Sequence, residues 1–394
     1  MSFQELGLAP KLSEVLDSLK FNVPTPIQRQ AIPQALDGDD IIGIAQTGTG
    51  KTMAFSLPMV QHLASNNAKG LILVPTRELA VQVEESVNKI ARPFQIRTVV
   101  LIGGESFGKQ FKDLSRKPRI IIATPGRLID LMEQKKVHLK DVKILVLDEA
   151  DRMLDMGFAP QIERILKTVP TERQTMLFSA TMPPEIVRMA SKHMHTPVHV
   201  EIAPAGTTAE HVTHELFIVN QEMKKALLRK LLDQYRGSVL LFCRTKMGAK
   251  RAAMDLRKNG FAAAEIHSDR SLKQRQEALE GFKKGKYRIL AATDIAARGI
   301  DVKNISLVIN YDLPDELENY VHRIGRTGRA GVSGHAISFA RPDQRSEVIC
   351  IERLIKSTVP ISKHPDMPDV DFHKPQTFSF SSRRRGGPVR RRRR

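Results

Sequence analysis

With 394 residues, 41% of them hydrophobic and 27% charged, the chain is long enough for more than one hydrophobic core, and its balance suits soluble α/β structure. No apolar run approaches the roughly 18 residues a membrane-spanning helix needs. The start MSFQELGLAP lacks the charged-then-apolar pattern of a secretory leader, so the expected location is the cytoplasm. The formal charge of +19 favours a polyanionic partner such as nucleic acid.

Taken in chain order, short β-branched or Leu-rich runs alternate with longer amphipathic stretches, the pattern of parallel strands joined by helical crossovers. The first half reads as strands at IIGIA, LILV, VVLI, RIIIA, ILVL and TMLFS, and the second at SVLLF, AAAEIH, YRILAA, SLVIN and HAISF. Between them, residues 204–210 change character to Pro, Gly, Thr and Ala and read as a linker. The expected organisation is a first domain over 1–203, a second over 211–360 and a disordered tail over 361–394. That tail ends in RRRGGPVRRRRR, eight Arg without an acid, and reads as an electrostatic arm for nucleic acid. Cys243 and Cys350 have no CxxC spacing and fit a reducing compartment. His193, His195 and His199 are spaced like metal ligands, but Pro197 interrupts them and no Cys or carboxylate cluster accompanies them, so they read as a solvated strand entry.

Polar and glycine-rich words follow the strands, where open α/β sheets bind ligands. AQTGTGKT, residues 45–52, leaves an apolar strand and enters a helix-compatible segment. Its Thr47, Gly48, Thr49 and Gly50 suit a loop whose amides cradle phosphate; Lys51 suits the β- and γ-phosphates and the Thr52 hydroxyl suits Mg²⁺. Asp148-Glu149-Ala150-Asp151 ends the strand KILVL. An Asp there can hold the water shell of Mg²⁺, and the adjacent Glu can orient or deprotonate an attacking water.

From these residues the chain resembles the DEAD-box RNA helicases over roughly residues 3–345, with PTPIQ, AQTGTGKT, PTRELA, GG, TPGR, DEAD, SAT, ATDIAARGID and HRIGRTGR in the family's order. The resemblance implies two tandem RecA-like domains, each a mostly parallel sheet with helices on both faces. It implies ATP and Mg²⁺ as cofactors, single-stranded and duplex RNA as partners, and a monomer. Carried over position by position, it implies that Gln28 reads the adenine edge, Phe21 stacks on the ring and Phe3 supports them, although Lys20 stands where the family has Gly. Ser179 and Thr181 resemble the hydroxyls that couple the nucleotide and RNA sites. His322 resembles the link to the acidic motif, Arg326 and Arg329 the arginine fingers, and Gly299 and Asp301 nucleotide contacts. For RNA it points to Thr76, Arg77, Gly104, Thr124 and Arg127, then to Arg244, Arg275 and Thr293. Two words depart from the family: Leu272 replaces Gln ahead of Arg275, and His267-Ser268-Asp269 replaces HisGlyAsp.

The activity implied is RNA-stimulated ATP hydrolysis that opens short duplexes or remodels RNA–protein complexes as the domains close. A clamp that hydrolyses ATP without useful unwinding shares the same motifs. An ATP-independent annealing protein driven by the Arg tail is the reading outside enzymology.

Overall fold

The computed structural model describes residues 2–46, 48–202, 212–294, 305–328 and 334–373. Two parallel sheets organise the chain. The first contains β1 (Ile41–Ile44), β2 (Lys69–Leu73), β3 (Thr98–Leu101), β4 (Ile120–Ala123), β5 (Val142–Asp148), β6 (Gln174–Ser179) and β7 (Val198–Glu201), in the order β3-β4-β2-β5-β6-β1-β7. The second contains β8 (Val212–Ile218), β9 (Val239–Phe242), β10 (Ala263–Ile266), β11 (Ile289–Ala292), β12 (Leu307–Asn310) and β13 (Gly334–Ala340), in the order β10-β11-β9-β12-β13-β8.

The central strands are continuous apolar runs because both of their faces are covered. In β5, Ile144 and Val146 join the core on one face of the sheet, while Leu145 and Leu147 join the core on the other. In β9, Leu240 and Phe242 divide in the same way from Val239 and Leu241. The covering helices of the first unit include α1 (Pro10–Ser18), α2 (Pro26–Asp37), α3 (Lys51–Ser65) and α4 (Arg77–Ala91). They continue with α5 (Phe107–Ser115), α6 (Pro125–Glu133), α7 (Ala150–Asp155), α8 (Ala159–Leu166) and α9 (Pro184–His193). In the second unit α10 (Lys224–Gln234), α11 (Lys246–Lys258), α12 (Leu272–Lys283), α13 (Glu318–Ile324) and α14 (Arg345–Ile355) take that role.

Every run expected as a strand is one; β7 is foreshadowed only by the strand entry read at His193–His199, and β8 is not among the expected runs. Both lie at sheet edges, where no further strand of the sheet packs alongside and polar residues such as His199, Glu201 and Thr213 are tolerated. The linker at 204–210 lies outside the described residues, as does the chain from 374 onward, including the Arg run. Packing does not stop at 360. Ile361 bridges Leu216 of β8, whose amide donates to the Pro360 carbonyl at 2.8 Å and whose carbonyl accepts from Ser362 at 2.8 Å. His364 is buried, and Met367 packs against the second unit's core. Residues 361–373 therefore pack on the second unit beside its edge strand, and the disordered tail expected from 361 onward begins too early by that segment.

Because the strands of each sheet run parallel, their carboxyl ends share one edge. That edge of the first sheet carries the phosphate loop after β1, PTRE after β2, TPGR after β4, the acidic word after β5 and SAT after β6.

Candidate active site

The phosphate loop is built between β1 and α3. Gly48 and Gly50 both take left-handed backbone, with φ of 87° and 96°. A Cβ on Gly50 would also collide with the Gln28 amide, so the position requires glycine twice over. Gln28 is buried in α2: its Oε1 accepts from the Thr25 amide at 2.9 Å and its Nε2 donates to the Gly50 carbonyl at 3.0 Å. The carboxamide thus ties the segment before α2 to the loop while keeping one N–H and one lone pair for a ligand. Lys51 opens α3, buried, with its Nζ donating to the Ala45 carbonyl at 2.7 Å. Thr49 Oγ1 donates to the Gln46 carbonyl at 2.7 Å, bracing the loop, and Thr52 follows in the first turn. Thr47 lies outside the described residues. Phe21 is 43% exposed, unlike Phe3, which belongs to the core.

Asp148, Glu149, Asp151 and Arg152 are all buried at the end of β5. Burial pushes the Asp148 carboxyl up to about 7 against the attraction of Lys51, with Glu149 and Asp151 adding to the rise. A desolvated carboxylate beside a cationic loop suits Mg²⁺, which takes one or two carboxylates and fills the rest of its shell with phosphate and water. Glu149 adopts φ 53°, a left-handed conformation rare for a residue with a Cβ, and is held there by Arg152, whose Nη1 meets its Oε2 at 2.9 Å. Asp151 connects the acidic word to SAT. Its Oδ2 accepts from the Thr181 hydroxyl at 2.9 Å and from the Thr181 amide at 3.0 Å, and its own amide donates to Ser179 Oγ at 3.3 Å. Burial alone would raise the Asp151 carboxyl, but the Thr181 hydroxyl, Lys51 and Arg152 outweigh it and hold it below its ordinary value. The Ser179 carbonyl accepts in turn from the Ala45 amide at 3.0 Å, so loop, acidic word and SAT form one bonded unit.

The second unit meets this rim. Burial pushes the His322 imidazole down to about 4; Arg152 of the first unit and Arg326 reinforce the shift, while Asp151 and Glu149 oppose it. His322 is therefore enclosed by charges of the acidic word. Arg326 is buried, with Nε donating to the His322 carbonyl at 3.3 Å. Arg329, Gly299 and Asp301 lie outside the described residues. A second bridge joins α4 to α12: Arg275 Nη1 lies 2.8 Å from Glu78 Oε1, both side chains almost wholly buried, and Leu272 packs against the first unit's core.

A phosphate loop bonded to an acidic turn in one half, with a histidine of the other half beside it and an arginine bonded to that histidine's carbonyl, is the arrangement of a two-part nucleoside triphosphatase, and comparison with known proteins resolves which one. The DEAD/DEAH box helicase model matches residues 25–189, and the helicase conserved C-terminal domain model matches residues 223–331. The ATP-dependent rRNA helicase RRP3 of Debaryomyces hansenii is 43% identical over 94% of this chain and 78% of its own length. The DEAD-box ATP-dependent RNA helicase CshA of Bacillus subtilis is 41% identical over 94% of this chain and 76% of its own. The chain belongs to the DEAD-box RNA helicases. Among solved structures, Saccharomyces cerevisiae Dbp5 bound to RNA and ADP BeF3 superposes with a TM-score of 0.81 at 32% identity, covering 92% of this chain and 95% of that one.

Against that family, the expected RNA residues of the helicase sort into two kinds. Arg77 lies against Gly104, whose φ of 80° and lack of a Cβ make room for the guanidinium. Thr76 caps α4, accepting from the Leu79 amide at 3.2 Å, and Thr124 stands at the N-terminus of α6. Arg127 donates to the Glu105 carbonyl at 3.0 Å and lies under the Phe107 ring. Arg244 pairs with Asp315 at 3.2 Å, and Thr293 follows β11, half-buried. Arg275, also expected at RNA, sits in the buried pair with Glu78.

Sequence reasoning singled out no role for Glu78, Arg152, Arg323 or Asp294. Arg323 holds Asp294 through Nε at 2.6 Å and Nη2 at 2.7 Å, and donates to Asn310 and the Asp312 carbonyl, joining HRIGRTGR to the start of ATDIAARGID. Its position inside the quoted motif was the available signal; a buried guanidinium needs several acceptors, and only the fold supplies them.

Proposed function

We propose that this DEAD-box helicase closes its two units around ATP and single-stranded RNA, opening short duplexes locally and releasing RNA once ATP is hydrolysed. The observation that carries the reading is the continuous set of bonds from phosphate loop to Ser179 to Asp151 to Thr181, with His322 of the second unit within reach of the acidic word's charges and Arg326 bonded to its carbonyl. In this reading the Gly48–Gly50 amides and Lys51 hold the phosphates and Gln28, with Phe21, selects adenine. Glu149 orients or deprotonates the attacking water. Thr52 and Asp148 would hold Mg²⁺, which supplies charge neutralisation at the transferred phosphoryl group. Arg326 and Arg329 stabilise that charge, and because they come from the second unit they act when the cleft is shut.

Backbone contacts from Thr76, Arg77, Gly104, Thr124, Arg127, Arg244 and Thr293 imply little sequence preference, and 2′-hydroxyl contacts favour RNA over DNA. We place the activity in the cytoplasm and in a monomer divided at 204–210. The test is ATPase rate without nucleic acid, with RNA and with DNA of the same sequence, followed by displacement of a short RNA strand. RNA-specific stimulation with displacement is expected; equal stimulation by DNA would refute the substrate, and stimulation without displacement would make the protein a clamp.

A further inference from the structure

Phe107 opens α5, three residues beyond Gly104, and is one of the few large apolar side chains left exposed, at 37%. Its helical partner one turn on, Phe111, packs against the core on its face of the sheet. Phe107 belongs to none of the cores among the described residues. It is nevertheless held in place. The Arg127 guanidinium lies over its ring at 4.3 Å from the centroid, the Phe111 ring is 5.9 Å away, and Lys136 lies over Phe111 at 5.2 Å. Two adjacent aromatic rings of α5 are thus flanked by a cation at each end, starting three residues beyond Gly104.

We infer that Phe107 is a stacking platform for one unpaired RNA base at the margin of the backbone-reading rim, and so a positioning residue for the strand. An exposed ring backed by a guanidinium offers a flat, electron-rich surface to any base, which is how single strands are gripped without sequence preference. Nucleic acid is the occupant favoured by charge: the chain carries +19, and the two rings are flanked by Arg127 and Lys136. The groove on the other side of α5, about 1180 Å³ beside β3, is a weaker candidate because most of its cations are spent internally and no exposed ring lines it. Arg116 pairs with Asp113, Lys109 with Glu105, and Arg119 with the carbonyls of Leu63, Asn66 and Ala68.

This inference rests on the RNA-helicase reading, and the experiment separates the two. Single-stranded RNA oligonucleotides carrying one abasic site, moved position by position, are titrated against the full chain with a non-hydrolysable ATP analogue. Wild type should lose about tenfold in affinity when one particular position is abasic, the size of one stacked base. Phe107→Ala should show the same loss on intact RNA and no further loss at that position. Phe107→Trp should behave as wild type, and ATP affinity should be unchanged in both variants. A flat abasic profile in wild type would overturn the platform, even if Phe107→Ala weakened binding, because the ring would then act only by covering Arg127. Additive losses from the substitution and the abasic site would also overturn it. Wild type that fails to bind intact RNA would instead sink the helicase reading.

Discussion

Glu149 stores strain in its left-handed backbone, a conformation that costs on the order of 1–3 kcal/mol and persists when its surroundings over-determine it. Here Arg152 and the Asp148 carboxylate, which accepts the Glu149 amide at 3.0 Å, hold it. Glu149→Gln keeps the shape and leaves Asp148 in place. Turnover should fall at least about a hundredfold while ATP still binds, measured by single-turnover hydrolysis and nucleotide titration. Near-normal hydrolysis would remove Glu149 from the chemistry. Thr181 tests a different link: Thr181→Val deletes the hydroxyl that reaches Asp151 but leaves the Ala180 and Thr181 amides on the same oxygen. A hydrogen bond to a charged group is worth about 1.5–3 kcal/mol, so duplex opening per ATP should drop roughly tenfold with RNA-stimulated hydrolysis kept within a few-fold. An unchanged ratio would make this bond structural.

At the scale of elements, α4 and α12 are joined across the two units by Glu78 and Arg275, at 2.8 Å and nearly without solvent. Neither Glu78 Oε1 nor Arg275 Nε makes an aligned hydrogen bond, so this is a contact of charges. In a rigid core, removing one partner costs about 3–5 kcal/mol because the other charge stays buried. Between two units that separate, the orphaned charge escapes to water by opening. Arg275→Leu should therefore leave the thermal unfolding midpoint nearly unchanged and raise the RNA concentration for half-maximal ATPase by tenfold or more. Exchanging the charges, with Glu78→Arg and Arg275→Glu together, should recover part of the loss. No recovery, together with a lowered salt dependence of RNA binding, would return Arg275 to the RNA phosphate.

The whole molecule adds a dependence on pH through His322. Its value with the two units in contact, about 4, lies below the ordinary 6.5, so bringing the units together disfavours the protonated ring. The contribution to closure is present above about pH 6.5 and is lost as pH falls from there toward 4. The charges around the ring are Arg152 and Arg326, which repel its proton, and Asp151 and Glu149, which attract it. Energy transfer between dyes on the two units, with ATP analogue and RNA present, should report weaker closure at about pH 5.5 than at pH 7.5. His322→Gln should flatten that change; an equal response in the variant would assign it to another group.

The Arg run at 383–394 acts at the same scale but by a different force. If it neutralises about four phosphates, deleting it should flatten the logarithmic salt slope on single-stranded RNA by roughly 3, with turnover at saturating RNA preserved. Superimposable slopes would rule out a tether.

The ATP chemistry and the parallel sheets are legible in the residue string, because strands buried on both faces must be continuous apolar runs and a phosphate loop needs its glycines and lysine close together. The order of the motif words carried the family. Tertiary structure decided what depends on groups far apart in the chain. It paired Glu78 with Arg275 and Arg323 with Asp294, and set His322 among the charges of the acidic word. It also packed residues 361–373 on the second unit and made strands of Val198–Glu201 and Val212–Ile218. Those edge strands mix apolar residues with polar ones such as His199, Glu201, Thr213 and Glu215, and so lack the fully apolar character of the central strands. They are stabilised by backbone groups and surfaces that exist only once the central strands are assembled.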